Sequence, residues 1–331
     1  MSTAGATSAP TGKIVAAHTA GRATFSTLSF TYPLKLISPR SFSSKSNVLQ
    51  CYMLSYGGGL VCGDTISLQV EVHDKCLLVL MTQGSTKVFR IRPGQGLPSG
   101  SLMNAPLTLQ RMTITLQPGA TLFLLPAPVT CFESARYHQH QSVRMSSGSS
   151  SLLLLDWFTS GRMSIGEEWV FDEYKSTNEI YIGDRRVAKD VMLLKDEWSQ
   201  SQRDAPSSSF LSSKHVQNPT TTKVPPNVRR RTSYHSRVQP YSCYATLFIV
   251  GPLFDQLRSN LSREFAAITQ YKRTRPEPRL WSVSVLDGGR VTVVRCAGET
   301  TELVRDWIKD VLIKGDIADL IGNETLRSAF A

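Results

Sequence analysis

The 331-residue chain lacks most of the patterns by which a sequence declares its chemistry, and each lack removes a class of protein. It has no stretch approaching the roughly 18 apolar residues of a membrane span, so no membrane partner is expected. Its opening, MSTAGATSAPTGK, has no apolar core and does not read as a secretory signal. Ser, Thr and Ala with Lys13 and Arg22 give it a faint likeness to an organelle transit peptide, against the plainer expectation of a disordered terminus over 1–13. Six cysteines (Cys51, Cys62, Cys76, Cys131, Cys243, Cys296) are scattered without one C-x-x-C pair. That spacing argues against a zinc module or a disulfide scaffold, and points to a cytosolic, cytoplasmic protein with reduced thiols. The glycines at 57–59 spell neither a dinucleotide turn nor a P-loop, because a strand and not a helix follows them. There is no G-x-S-x-G elbow and no H-E-x-x-H pair.

Strands are there in number. Ile66, Leu68, Val70 and Val72 alternate with polar residues, which buries one face, whereas Cys76 to Thr82 is apolar almost throughout, as in a strand covered on both faces. The short turn at 73–76 predicts that these two are antiparallel neighbours. Further strands are read at 12–18 (a first edge strand), 24–32, 34–37, 48–54, 107–116, 121–125, 138–145, 150–156, 169–174 and 179–182. The strands at 138–145 and 150–156 read as a second antiparallel pair. Loops are read at 41–46 and 93–101, and no long helix precedes residue 198. The fold class expected is mostly β: large antiparallel sheets packed in layers, with about two C-terminal helices packed on them.

Composition breaks at residue 199. Between 203 and 240 stand seven basic residues and one acid, +6 of the chain's formal +11, with few apolar residues and no period. Such a segment cannot offset its ordering entropy by burial, so a disordered basic insertion is expected over 199–242. The domain expected is a single one over 14–315, interrupted there. Order returns with a buried strand at 244–250. An amphipathic helix of about four turns follows, through Leu257, Leu261, Phe265 and Ile268. Asp287-Gly288-Gly289 marks a hairpin between strands at 280–286 and 290–295. A second helix over 299–313 has Leu303, Trp307 and Val311 in its stripe, with Val304 and Ile308 beside them, and Gly315 as its stop. Residues 316–331 read as a tail or one short helix.

Candidate chemistry is sparse. His138-x-His140 would put two rings on one face at roughly 7 Å, a weak metal signal without a third ligand. Asp156, Ser160 and Arg162 end a leucine run and form a rim set that a hydrolytic enzyme would use. A structural ion pair and strand cap is the plainer reading, and no histidine lies near the serine. Arg229 to Arg231 would serve a nucleic-acid binder, but Tyr234 and Tyr241 are the only aromatics near the charge, and a solvated loop is the better reading.

Three segments resemble a known family. GGGLVCGD at 57–64, TQGSTKVFR at 82–90 and LDWFTSGRMSIGEEWVFDEY at 155–174 are similar to signatures of the urease accessory protein UreD, called UreH in some bacteria. The family reads close to GGLVGGD, TTQAATKVYR and GR-x-x-x-GE-x-W. The matching motif residues are Gly57, Gly58, Gly59, Gly63, Thr86, Lys87, Arg90, Gly161, Arg162, Gly166 and Trp169. Cys62 stands where a small residue such as glycine is usual, and the insertion looks like a eukaryotic elaboration. The resemblance implies a scaffold in nickel delivery and not an enzyme. It implies work with UreF and the GTPase UreG on apo-urease, nickel(II) in transit through an internal passage, and no permanently bound cofactor. A conduit needs weak, successive oxygen or nitrogen contacts, since a tight site would trap the ion. Asp64, at the mouth of the glycine turn, is then the first candidate contact, with Asp156 and Glu167 next; the structural alternative for Asp64 is a turn cap.

Overall fold

Half-apolar and fully apolar strands alternate along the chain, and the fold sorts them into two sheets. The computed structural model describes residues 10–39, 46–90, 107–197, 232–268 and 277–330. The strands run β1 Gly12–Thr19, β2 Arg22–Phe30, β3 Leu34–Ile37, β4 Val48–Ser55, β5 Thr65–Val72, β6 Leu77–Thr82, β7 Thr86–Val88, β8 Thr108–Leu116 and β9 Thr121–Leu125. They continue as β10 Val129–Cys131, β11 Arg136–Met145, β12 Ser151–Thr159, β13 Glu173–Ile182, β14 Arg185–Lys195, β15 Cys243–Val250, β16 Arg279–Leu286 and β17 Val291–Gly298. Helices are α1 His235–Val238, α2 Asp255–Ala266, α3 Thr301–Lys314, α4 Ile317–Ile321 and α5 Asn323–Ala329. Among the described residues, no helix is long and apolar enough to cross a membrane.

The first sheet has the order β14-β13-β11-β8-β5-β1-β2, and the second β16-β17-β15-β12-β9-β6-β4-β3, with β10 and β7 attached beside β12. The mostly-β, layered class with helices at the C-terminal end is what the sequence predicts; strand direction is not. The centres of both sheets are parallel: β1 with β5, β5 with β8, β8 with β11 and β11 with β13 in one, β4 with β6, β6 with β9 and β9 with β12 in the other. Only the margins are antiparallel. Thus β5 and β6 are not neighbours, and neither are β11 and β12. Each short turn carries the chain from one sheet to the other, and each parallel crossover is a visit to the opposite layer. The physical reason lies in β6, β9 and β12, buried at nearly every position. Such strands need cover on both faces, which a partner strand alone cannot give. They form the middle layer, with the first sheet on one side and helices on the other.

Two cores result. Ile14, Leu68, Val70, Ile114, Leu122 and Leu154 belong to the core between the sheets. Phe123, Leu153, Leu155 and Leu247 point the other way, toward Leu257, Leu261, Trp307, Ile308 and Leu326 of the helices. Three smaller expectations change. β1 is interior, since β2 forms the edge; residues 169–172 are not strand; and β14 is a strand the sequence reading passed over. The tail holds two short packed helices, with Ile317, Ile321 and Leu326 buried. Gly315 ends α3 without a left-handed turn (φ −93). Its need is space, because a Cβ there would lie 2.6 Å from Leu257 Cδ1.

The loop expected at 93–101, nearly all of that at 41–46, and residues 199–231 of the basic insertion lie outside the described residues. Residues 232–242 do not share the expected disorder. Thr232, Tyr234 and Val238 are buried, the Tyr234 hydroxyl donates to Phe171 O at 2.6 Å, and Tyr241 donates to Glu277 O at 2.9 Å. Both tyrosines are therefore occupied in packing and are not free to stack on bases. Deleting 203–230 is expected to leave the thermal unfolding midpoint unchanged. Tyr234→Phe, which strands the Phe171 carbonyl, should cost about 1–2 kcal/mol in chemical denaturation.

Candidate functional site

The core between the sheets is interrupted by polar side chains at inward positions. β11 presents Gln139 and Gln141 there, and β13 presents Ser176 and Asn178, all four buried. Across from them β12 contributes Asp156, buried at 9% exposure after four leucines. Gln139 Nε2 donates to Asp156 Oδ1 at 3.0 Å, while Ser176 Oγ and Asn178 Nδ2 donate to Oδ2 at 2.5 and 2.6 Å. All three donors come from the opposite sheet. Burial pushes the Asp156 carboxyl above its ordinary range, and the three donors pull the other way without offsetting it.

Strand register extends this point into a track. Asp156 pairs with Thr246 of β15, Thr246 with Arg295 of β17, and Arg295 with Ser282 of β16. On the facing sheet Gln141 pairs with Asn178 and Asn178 with Asp190 of β14. Side chains in register lie on one face, about 4.8 Å apart from strand to strand. Two polar rows thus cross the interior face to face, joined at the inner end by Asn178 and Asp156. They are joined at the outer end by Arg295 Nη2 and Asp190 Oδ1, 2.6 Å apart. Between them is a cavity of about 490 Å³ lined by Asp156, Tyr174, Asp190, Tyr244, Thr246 and Arg295 among others. Leu280 and the Arg295 side chain, also on its wall, are 47% and 48% exposed. The cavity therefore opens to solvent where the β14 and β16 edges face each other. Tyr174 OH and Asn178 Oδ1 are buried and have no hydrogen-bond partner among the described residues.

The other candidates stand apart from this track. Asp64 caps its turn: its Oδ2 accepts from Val61 N–H at 2.9 Å. Glu167 is held by Arg162 through Nε, at 2.7 Å, and Nη2, and that guanidinium lies 4.2 Å over the Phe132 ring. Ser160 is fully buried and its Oγ makes no hydrogen bond among the described residues. Asp156, Ser160 and Arg162 are thus not assembled into a hydrolytic set. His138 and His140 do share a face, the outer one, but each meets a different acid, Glu173 at 2.9 Å and Glu179 at 3.3 Å. Among the described residues there is no group of three or more His, Cys, Asp or Glu placed to hold a metal ion.

The motifs build walls. Gly59 lets two of them meet: Leu60 N–H donates to Lys87 O at 2.8 Å and Phe89 N–H to Leu60 O at 2.9 Å. A Cβ on Gly59 would lie 2.7 Å from that Lys87 oxygen. Gly57, Gly58 and Gly63 turn the chain with positive φ. Thr86 joins β10 through Pro128 O, the Lys87 side chain is exposed, and Arg90 lies 3.8 Å from Glu133. Gly166 closes the turn after Arg162 in a left-handed conformation. Trp169, fully buried, packs edge-on against Phe158 and Tyr244, which line the cavity.

The sequence reading missed Gln139, Ser176, Asn178, Asp190, Thr246 and Arg295. The available signal was phase: in β13, Tyr174 and Ile180 share the inward phase with Ser176 and Asn178. Glu173, held by His138 first and by Arg136, has its carboxyl lowered to about 2. A depressed carboxylate stabilises the fold above the unfolded value near 4.3, and that contribution is lost as pH falls through the folded value. Stability is therefore expected to drop between about pH 4.5 and 2, and Glu173→Gln should flatten that limb of a pH-resolved denaturation series.

Comparison with known proteins agrees with the motifs. A family model described as UreD urease accessory protein matches residues 10–217. Urease accessory protein 4 of Cryptococcus neoformans var. grubii is 35% identical over 311 residues, 90% of this chain and 88% of its own length. Urease accessory protein D of Oryza sativa subsp. indica is 32% identical over 260 residues, 78% of this chain and 71% of its own. A ureD-like urease accessory protein of Schizosaccharomyces pombe is 27% identical over 314 residues, 90% of each chain. With well over half of its length inside the family model and a fungal relative above 30% identity aligned along nine-tenths of it, the chain belongs to the UreD urease accessory protein family.

Proposed function

We propose that this chain is the scaffold through which nickel(II) passes on its way into apo-urease, in a complex with UreF and the GTPase UreG, and that Asp156 is a station on that route. The observation that carries the reading is the buried carboxylate at the inner end of a polar track that reaches solvent at the sheet edges. Nickel(II) accepts oxygen donors and water in open geometry. Asp156, Thr246, Tyr174 and Asp190 offer oxygens one after another instead of a closed cage. A closed cage would hold the ion; a sequence of weak contacts lets it move on. Asp64 and Glu167 are proposed as secondary contacts, because neither lines the cavity and each is engaged elsewhere, by a backbone N–H or by the Arg162 guanidinium.

Asp156→Asn tests this in cells that depend on the chain for urease activation. The nickel content of urease should fall about tenfold, while abundance and pull-down of UreF stay normal. The fold should lose about 1–2 kcal/mol, because an amide cannot accept from all three donors. Asp64→Ala should lower nickel content less. Normal nickel content in Asp156→Asn would overturn the station, and low nickel with equally low abundance would make Asp156 structural.

A further inference from the structure

The outer end of the track is closed by a charge that can leave. Asp190 and Arg295 sit on different sheets, and besides the Arg185–Asp287 pair theirs is an ion pair linking β14 to the β16–β17 hairpin. Asp190 is mostly covered, with 18% of its side chain exposed, whereas the longer Arg295 side chain is 48% exposed. One partner is fixed on the cavity wall and the other is an arm with room to swing into water. Asp190 is also near enough for its charge to act on Asp156, so the two carboxylates belong to one electrostatic unit. Tyr174, fully buried, stands on the same wall.

Resting on the conduit reading above, we infer that Asp190 is the second oxygen station of the cation's route and that Arg295 is its displaceable counter-ion, a gate at the cavity mouth. With the guanidinium in place, Asp190 is neutralised and a positive charge stands where a cation must pass, which repels it. A divalent ion that reaches Asp190 competes for the same carboxylate, and the guanidinium swings outward into solvent. No bond forms or breaks beyond this exchange of ionic partners. The gate keeps two carboxylates from facing one another uncompensated while the route is empty, and it admits ions only in exchange for a charge expelled.

Equilibrium dialysis of the purified full-length chain against nickel ion alone tests the gate. Arg295→Met should bind nickel about tenfold more tightly than the parent, because a competing positive charge is gone while Asp190 remains. Adding Asp190→Asn to Arg295→Met should remove that gain. Asp190→Asn alone should bind about tenfold less tightly than the parent, since the guanidinium stays without its carboxylate. A folded Arg295→Met that binds no more tightly than the parent, or shows no measurable binding, overturns the gate. So does Asp190→Asn that binds like the parent, which keeps the test open should Arg295→Met fail to fold. If Asp156→Asn lowers urease nickel while these binding results are flat, only the gate falls. If Asp156→Asn leaves urease nickel unchanged, the conduit reading falls by itself.

Discussion

Trp307→Ala is expected to cost roughly 3–5 kcal/mol in chemical denaturation, the range for removing a large aromatic from a core. Trp307 is 7% exposed on the buried stripe of α3, with Val304, Ile308, Val311 and Leu312. Its ring centroid lies 5.3 Å from that of Trp281 in β16, which lies 5.5 Å from Phe265 in α2. Through Trp281 the edge hairpin of the second sheet meets both long helices, with Trp307 as the contact from α3. Truncation leaves a void that rigid strands cannot fill, so the cost exceeds the transfer term alone. Leu303 differs from the stripe expected of it. It is half-buried at the margin of α3, and its own backbone N–H is capped by Thr300 Oγ1 at 3.3 Å. Leu303→Ala should therefore cost about 1 kcal/mol, below the full core range. A loss under about 0.5 kcal/mol for Trp307→Ala, far outside that range, would mean that α3 does not bear on the core. Because Trp307 itself is not on the cavity wall, Trp307→Ala should lower nickel delivery in proportion to abundance and no further.

What could be read from the residues alone was whatever depends on local phase. Alternation in β5 and β11, continuous burial in β6 and β12, the stripes of α2 and α3 and the turn at Asp287-Gly288-Gly289 are each written in one short window. Pairing was not legible, because it depends on which layer a strand joins, and no window contains that choice. The turn at 73–76 fits a hairpin and a sheet-to-sheet crossing equally well. What decides is the summed need of β6, β9 and β12 for cover on both faces.

The site divides in the same way. Asp156 was visible as a carboxylate after an apolar run, and Gly161, Arg162 and Trp169 as a motif. The partners of Asp156 lie 17, 20 and 22 residues away in sequence, on two strands whose register alone brings them together. Asp190 and Arg295 are 105 residues apart. Cys62, the departure from the usual glycine motif, is partly exposed in its turn and is not among the residues that line the cavity. Asp64 shows that a motif position can have a structural use of its own. A carboxylate after glycines suggests a ligand, yet its first use here is to hold Val61 N–H.

Gly161→Ala should damage the fold far more than one added methyl group ordinarily does. Gly161 has φ +136, a conformation L side chains rarely adopt, and a Cβ there would lie 2.5 Å from Glu167 O and 3.4 Å from Cys131 O. The obstacle is backbone, and that backbone is tied on both sides. Ser160 N–H donates to Ser242 O at 2.7 Å, Trp169 N–H to Ser160 O at 2.7 Å, and Glu167 N–H to Arg162 O at 3.1 Å. Strain of about 1–3 kcal/mol for the dihedral adds to about 1–3 kcal/mol for overpacking, a large fraction of a domain's stability of about 5–15 kcal/mol. If the loop moves instead, Trp169 moves with it, and Trp169 supports Phe158 and Tyr244 on the cavity wall. Gly57→Ala is the control: its φ is also positive (+70), but a Cβ there meets nothing within 4 Å. It should cost only about 1–2 kcal/mol, the left-handed penalty by itself. Thermal melts and soluble yield of the two variants, made side by side, decide the matter. A Gly161→Ala protein that melts no lower than Gly57→Ala would show that the 161–167 loop yields freely, and that the motif's glycine serves something other than this close approach.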